Sequence, residues 1–85
     1  MSTLSENLRY LRAQRKASQQ YIANELIISR GRYSKYEDGK SEPPLAILRL
    51  ISDYFRVSID LLISVELRNV PVEDRYPAYC CIKRS

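Results

Sequence analysis

Apolar residues recur at helical spacing along the first three quarters of the chain and then lose their rhythm. Leu4, Leu8 and Leu11 repeat at intervals of three and four, which predicts a first helix to about Gln14. Ahead of it, Thr3-x-x-Glu6 reads as a capping box, in which hydroxyl and carboxylate satisfy opposing free backbone donors. Ser18 is a second N-cap, followed by Ile22, Ala23 and Leu26 on one face of a short helix. After Ile27 and Ile28, Ser29 offers a third cap and opens "SRGRYSKYEDGK", residues 29–40, which Gly39 closes as a C-terminal stop. Two short helices with so few residues between them form a helix-turn-helix. "GKSEPP" is a loop, because successive prolines cannot sit inside a helix. The apolar pattern returns from Leu45 to about Phe55, and Ser58 caps a fifth helix to about Ser64, with Asp60 in its positive first turn.

No strand is expected before residue 65, so the expected fold class is all-α. Five helices make one compact domain over residues 1–64, with the helix-turn-helix in helices 2 and 3. Residues 65–85 carry two prolines and no sustained periodicity. They are expected to form a short irregular C-terminal tail, either a flexible extension or a partner or dimer arm. A chain of 85 residues leaves room for a single small core.

Charge changes the picture more than composition does. Residues 1–40 carry eight cations (Arg9, Arg12, Arg15, Lys16, Arg30, Arg32, Lys35 and Lys40) against four acids, whereas residues 41–85 balance six against six. All of the net charge of +4 therefore sits in the first half, which suits a polyanionic partner engaged there. There is no histidine, which removes the usual general base near neutral pH. The two cysteines, Cys80 and Cys81, are adjacent, a spacing that suits neither a disulfide framework nor a metal site, and they read as reduced thiols. The protein is expected not to be an enzyme and to need no metal and no cofactor. Its longest apolar run is broken by Arg49, Asp53, Arg56 and Asp60, and the N-terminus lacks an apolar signal segment, so a cytoplasmic location without a membrane partner is expected.

Rotating 100° per residue from a cap at Ser29 places Tyr33 and Tyr36 on one side of the third helix. Gly31, Ser34 and Lys35 fall opposite, with Arg30 and Arg32 on the flanks. The tyrosines can pack inward while the other face stays available. Gly31 weakens the helix by up to about 1 kcal/mol but removes a side chain where another surface could come close. A helix entering the DNA major groove N-terminus first needs short or cationic side chains in its first turns, and this one has both.

With those residues in view, the chain resembles the phage repressor/Cro-like (XRE-type) helix-turn-helix family of DNA-binding transcriptional regulators. The resemblance rests on "LRYLR" at 8–12, "SQQYIA" at 18–23, Leu26, "SRGRYSKYEDGK" at 29–40, Pro43 and "VSIDLL" at 57–62. It implies a compact repressor-like domain and a prokaryotic or phage setting. It further implies that Arg30, Gly31, Ser34 and Lys35 face base edges of double-stranded DNA. Ser18, Gln19, Arg32, Lys40 and Ser41 would then meet the DNA backbone, Arg32 there or at a thymine methyl, and Arg12 and Glu37 would pair to tie the first helix to the end of the third. Arg30 and Lys35 suit guanine O6 and N7. Two departures stand out: the family usually has glycine where this chain has Ile27 and often where it has Lys16, so either the turn differs or Ile27 is strained. Pro44 stands where a capping hydroxyl is usual.

The fourth helix carries more apolar surface than one core needs. Leu45, Leu48, Ser52 and Phe55 make an inward stripe joined by Ile51, Ile59 and Leu62. Ile47, Leu50, Tyr54 and Leu61 are left over and are expected to form a homodimer interface, since a two-fold dimer sets two recognition helices one DNA turn apart. The expected function is a sequence-specific regulator, most simply a repressor, acting as a homodimer on a pseudo-palindromic operator. The competing reading is an antitoxin-like or adaptor protein that binds a protein partner through the helix-4 face or the tail.

Overall fold

The computed structural model describes residues 2–75, so Cys80 and Cys81 lie outside the described residues. Five helices follow one another: α1 (Thr3–Arg15), α2 (Gln19–Leu26), α3 (Arg30–Glu37), α4 (Leu45–Phe55) and α5 (Ile59–Ser64). Two 3-10 turns, Leu67–Asn69 and Val72–Asp74, come after them, and no strand occurs among the described residues. The fold is all-helical, as the periodicity predicts.

Serine hydroxyls open four of the five helices. Ser2, Ser18, Ser29 and Ser58 each accept a hydrogen bond from the backbone N–H three residues on, which satisfies one of the donors a helix start leaves free. The cap of α1 is Ser2 rather than Thr3. Ser2 has the extended backbone a cap needs, and its Oγ accepts from the Ser5 N–H at 3.2 Å while the Ser5 hydroxyl donates back to the Ser2 carbonyl at 2.8 Å. Thr3 is thereby already helical, and Glu6 falls one position too late to close the box. Pro44 precedes α4 without a side-chain cap.

Helices α1 to α4 all end in the same way. An N–H beyond the helix reaches back to a carbonyl five residues earlier: Ala17 to Arg12, Ile28 to Ala23, Lys40 to Lys35 and Val57 to Ser52. The closure needs one left-handed residue each time, and these are Lys16, Ile27, Gly39 and Arg56, with φ of 55°, 60°, 73° and 57°. Glycine takes that conformation freely, whereas a β-branched residue does not. The turn between α2 and α3 therefore keeps the usual geometry and strains Ile27, whose side chain is 87% exposed and gains nothing by packing.

The core lies where the helices converge. The three leucines of α1 meet Ile22, Ala23 and Leu26 of α2, both tyrosines of α3, Ile51 and Phe55 of α4, and Leu62 of α5. Leu45 leaves the predicted inward stripe. It is 66% exposed because it sits at the first position of α4, before the helix reaches its neighbours. Leu48 is half-buried.

Residues 65–75 belong to the stretch beyond residue 64 and lie against α1. Leu67 is fully buried in the core. The Asn7 side chain donates to the carbonyls of Leu62 and Val65 at 2.8 and 2.7 Å and accepts from the Leu67 N–H at 3.0 Å. Arg75 is buried too, donating to the carbonyls of Val70 and Leu67 and to the Tyr10 hydroxyl, whose ring it also covers. Its own carbonyl accepts from the Ser58 N–H at 2.7 Å.

Candidate nucleic-acid interface

Three cations and two acids crowd α3 and the residue that follows it, and the packing sorts them by sign. Tyr33 and Tyr36 are buried, which turns Arg30, Gly31 and Lys35 to solvent and leaves Ser34 half-buried. Glu37 points the other way and is 1% exposed. Arg12 donates to it through Nε at 2.6 Å and through a second guanidinium nitrogen at 3.1 Å, a two-pronged ion pair. Gln19 adds a third donor at 3.1 Å. Arg9 takes the next residues, donating to the Glu37 carbonyl at 2.9 Å and to the Asp38 carboxylate at 3.1 Å.

Burial works against the Glu37 carboxylate, but the Arg12 and Gln19 hydrogen bonds and the Arg12 charge together outweigh it. They hold its pKa below the usual carboxylate range. Glu37 in turn raises the pKa of Arg12. The Tyr33 hydroxyl is buried without a partner of hydrogen-bonding geometry among the described residues. Burial first, and then the nearby Glu37 charge, push its pKa upward. We attribute the Glu37 effect on it to the field of the carboxylate, since the geometry shows no bond.

The exposed face of α3 is consequently cationic. No described acid pairs with Arg30 or Lys35, and Arg32 is steadied by donating to the Tyr36 hydroxyl at 2.8 Å. Past Gly39, Lys40 and Ser41 lie exposed in the loop. At the start of α2, Ser18 is exposed, and its hydroxyl already accepts from the Tyr21 N–H at 3.0 Å. Gln19 is half-buried with its amide nitrogen committed to Glu37.

Sequence reasoning missed three participants. Arg9 sits three residues before Arg12, and that spacing on one helix was the available signal for a second grip on the acidic pair. Lys16 and Tyr21 line a groove with Ser18, Arg15 and Tyr54, and neither had been singled out for contact. Tyr54 is less available than its place on the apolar wheel suggests. The Arg15 guanidinium covers its ring at 4.5 Å, and the ring meets that of Phe55 in a T-shaped contact with 5.0 Å between centroids. Ile47 and Leu61 are half-buried against the core, and Leu50 is exposed together with Leu45, Ile63 and Val65. Among the described residues no acidic or cysteine cluster could hold a metal, and no helix is long and apolar enough to cross a membrane.

Comparison with known proteins agrees with this geometry. A helix-turn-helix family model matches residues 8–62. The HTH-type transcriptional activator BcrR of Enterococcus faecalis is 40% identical over 62 residues, covering 73% of this chain and 30% of that protein. The HTH-type transcriptional regulator YqaE of Bacillus subtilis is 40% identical over 70 residues, 82% of this chain and 60% of that one. The prophage-derived HTH-type regulator YonR of the same organism is 43% identical over 58 residues, 68% and 54% of the two chains. The chain thus spans between 30% and 60% of the length of these relatives. No solved structure matches. With the family model covering well over half of the residues and the two short helices closed by the turn at Ile27, the chain belongs to the XRE-type helix-turn-helix family of DNA-binding transcriptional regulators.

Proposed function

We propose that the protein reads specific sequences in double-stranded DNA by inserting α3 into the major groove, N-terminus first. It acts as a homodimer on a pseudo-palindromic operator, in the simplest case as a repressor that occludes polymerase. One observation carries this reading. Glu37 and Asp38, the acids at the end of the recognition segment, are both bound by arginines of α1, so the exposed face of α3 offers only positive and small groups. In this reading Arg30 and Lys35 meet guanine edges, while Ser18, Gln19, Lys16, Tyr21, Arg32, Lys40 and Ser41 meet phosphates.

Exposed Leu45 and Leu50 of α4, with Ile63 of α5 and Val65 just after it, and half-buried Ile47 and Leu61 on the same helices support pairing of two copies. The relative from Enterococcus is named an activator, and this chain covers 30% of it. The shared segment therefore supports DNA reading, and the repressor role rests on occlusion alone.

Selection of sites from a random duplex library at about 150 mM salt, repeated with Lys35→Ala, tests the proposal. The expected result is an enriched palindrome with half-sites about one helical turn apart, relaxed at one position per half-site by the substitution, at a cost of about 1–3 kcal/mol. Bulk binding without enrichment would overturn it in favour of a partner-binding role.

A further inference from the structure

Gly31 is a glycine that the fold does not require. Its φ is not in the left-handed region, where Gly39 is the one glycine, and nothing lies within 4 Å of the place where a Cβ would stand. No neighbour would be crowded by a side chain there. Glycine is nevertheless a poor helix residue, so the position carries a cost to folding with no return inside the protein. Arg30, Arg32 and Lys35 of the same helix are exposed, and the missing side chain leaves a notch of open space over the bare Cα of Gly31.

We infer that Gly31 selects sequence by omission: the notch receives the C5-methyl group of a thymine. This rests on the DNA-reading function proposed above. Most groups on a major-groove edge are hydrogen-bond donors or acceptors, which the arginines, Lys35 and Ser34 can answer. The thymine methyl is the apolar exception, and it projects from the edge toward the protein. Backbone without a side chain offers no polar readout and lets the methyl approach by ~1.5 Å more, the length of one carbon–carbon bond, than any other residue would. A phosphate would seek the cations instead.

The test uses the operator selected by the wild-type chain, the Gly31→Ala variant, and duplexes in which each thymine of the half-site is replaced in turn by deoxyuridine, which lacks the methyl. If the wild-type chain enriches no sequence, it is the DNA-reading proposal that fails. Given an operator, Gly31→Ala is expected to melt at a temperature equal to the wild type or about 2–5 °C higher. Its affinity should fall about tenfold. Deoxyuridine at one position per half-site should restore that affinity to within about threefold of wild type. A lower melting temperature would show that the fold does need the glycine. Unchanged affinity, or a loss that no deoxyuridine relieves, would overturn the assignment of a thymine methyl to the notch.

Discussion

Helix α1 holds two neighbours by opposite means. At 100° per residue, Arg9 and Arg12 fall on one flank of its leucine stripe and Asn7 and Tyr10 on the other. The arginines hold the end of α3 through full charges, bonding Glu37 and Asp38. Asn7 and Tyr10 hold residues 65–75 mostly through neutral groups and carbonyls, with Arg75 lending its charge to backbone oxygens rather than to an acid. The charged clamp recognises one particular partner and orients α3, the helix proposed to enter DNA. The neutral clasp grips backbone, which every residue has, so it fixes a path without asking much of the sequence that follows it.

The sharpest way to break the comparison is Glu37→Ala. It leaves a guanidinium and an amide facing an apolar gap and should cost roughly 2–4 kcal/mol in urea unfolding. That is somewhat less than for a fully buried pair, because the Arg12 side chain is 27% exposed. A loss below about 0.5 kcal/mol would mean that the clamp does not hold α3. Asn7→Ala comes next. It strips partners from two carbonyls and one N–H at once, and roughly 2–3 kcal/mol should be lost by the same measurement, unless water enters to replace them.

Acid separates the two devices. The folded-state pKa of Glu37 is depressed, so its contribution is present above the ordinary carboxylate value of 4.5 and is lost as pH falls through the lower folded value. Unfolding measured from neutral pH downward should show this loss in the wild type and in Asn7→Ala but not in Glu37→Gln. An unchanged acid response in Glu37→Gln would assign it to other carboxylates. The smallest effect is a gain. Ile27→Gly relieves a left-handed β-branched residue that touches neither device and should stabilise the protein by about 1 kcal/mol, read as a higher melting temperature.

The two devices differ in how they could be read beforehand. The helices were legible because serine caps and apolar spacing are local, and Leu45–Phe55 and the caps at Ser18, Ser29 and Ser58 fall where the pattern puts them. The inward turn of Tyr33 and Tyr36 followed from the wheel. Arg12 with Glu37 was visible only through family resemblance, since no local rule joins residues so far apart in sequence. Ser2 against Thr3 was undecidable from composition, because adjacent hydroxyls cap equally well until the backbone chooses. Leu45 was misplaced because a wheel has no ends. The packing of Leu67 and Arg75 left no sign in the sequence, for a bond from Asn7 to backbone has no partner residue type to search for.

The inward grip of α1 also changes how the protein should be counted as a polycation. Eight cations precede residue 41, but Arg9 and Arg12 are neutralised internally, whereas Arg15 keeps its charge over the ring of Tyr54. Arg15, Lys16, Arg30, Arg32, Lys35 and Lys40 remain to displace condensed counterions from DNA. The logarithm of affinity should then fall with that of salt concentration at a slope of about −5.4 per protomer, where a tally of the sequence alone would give about −7. The domain is therefore built to lose less of its grip on DNA as ionic strength rises than its isoelectric point suggests.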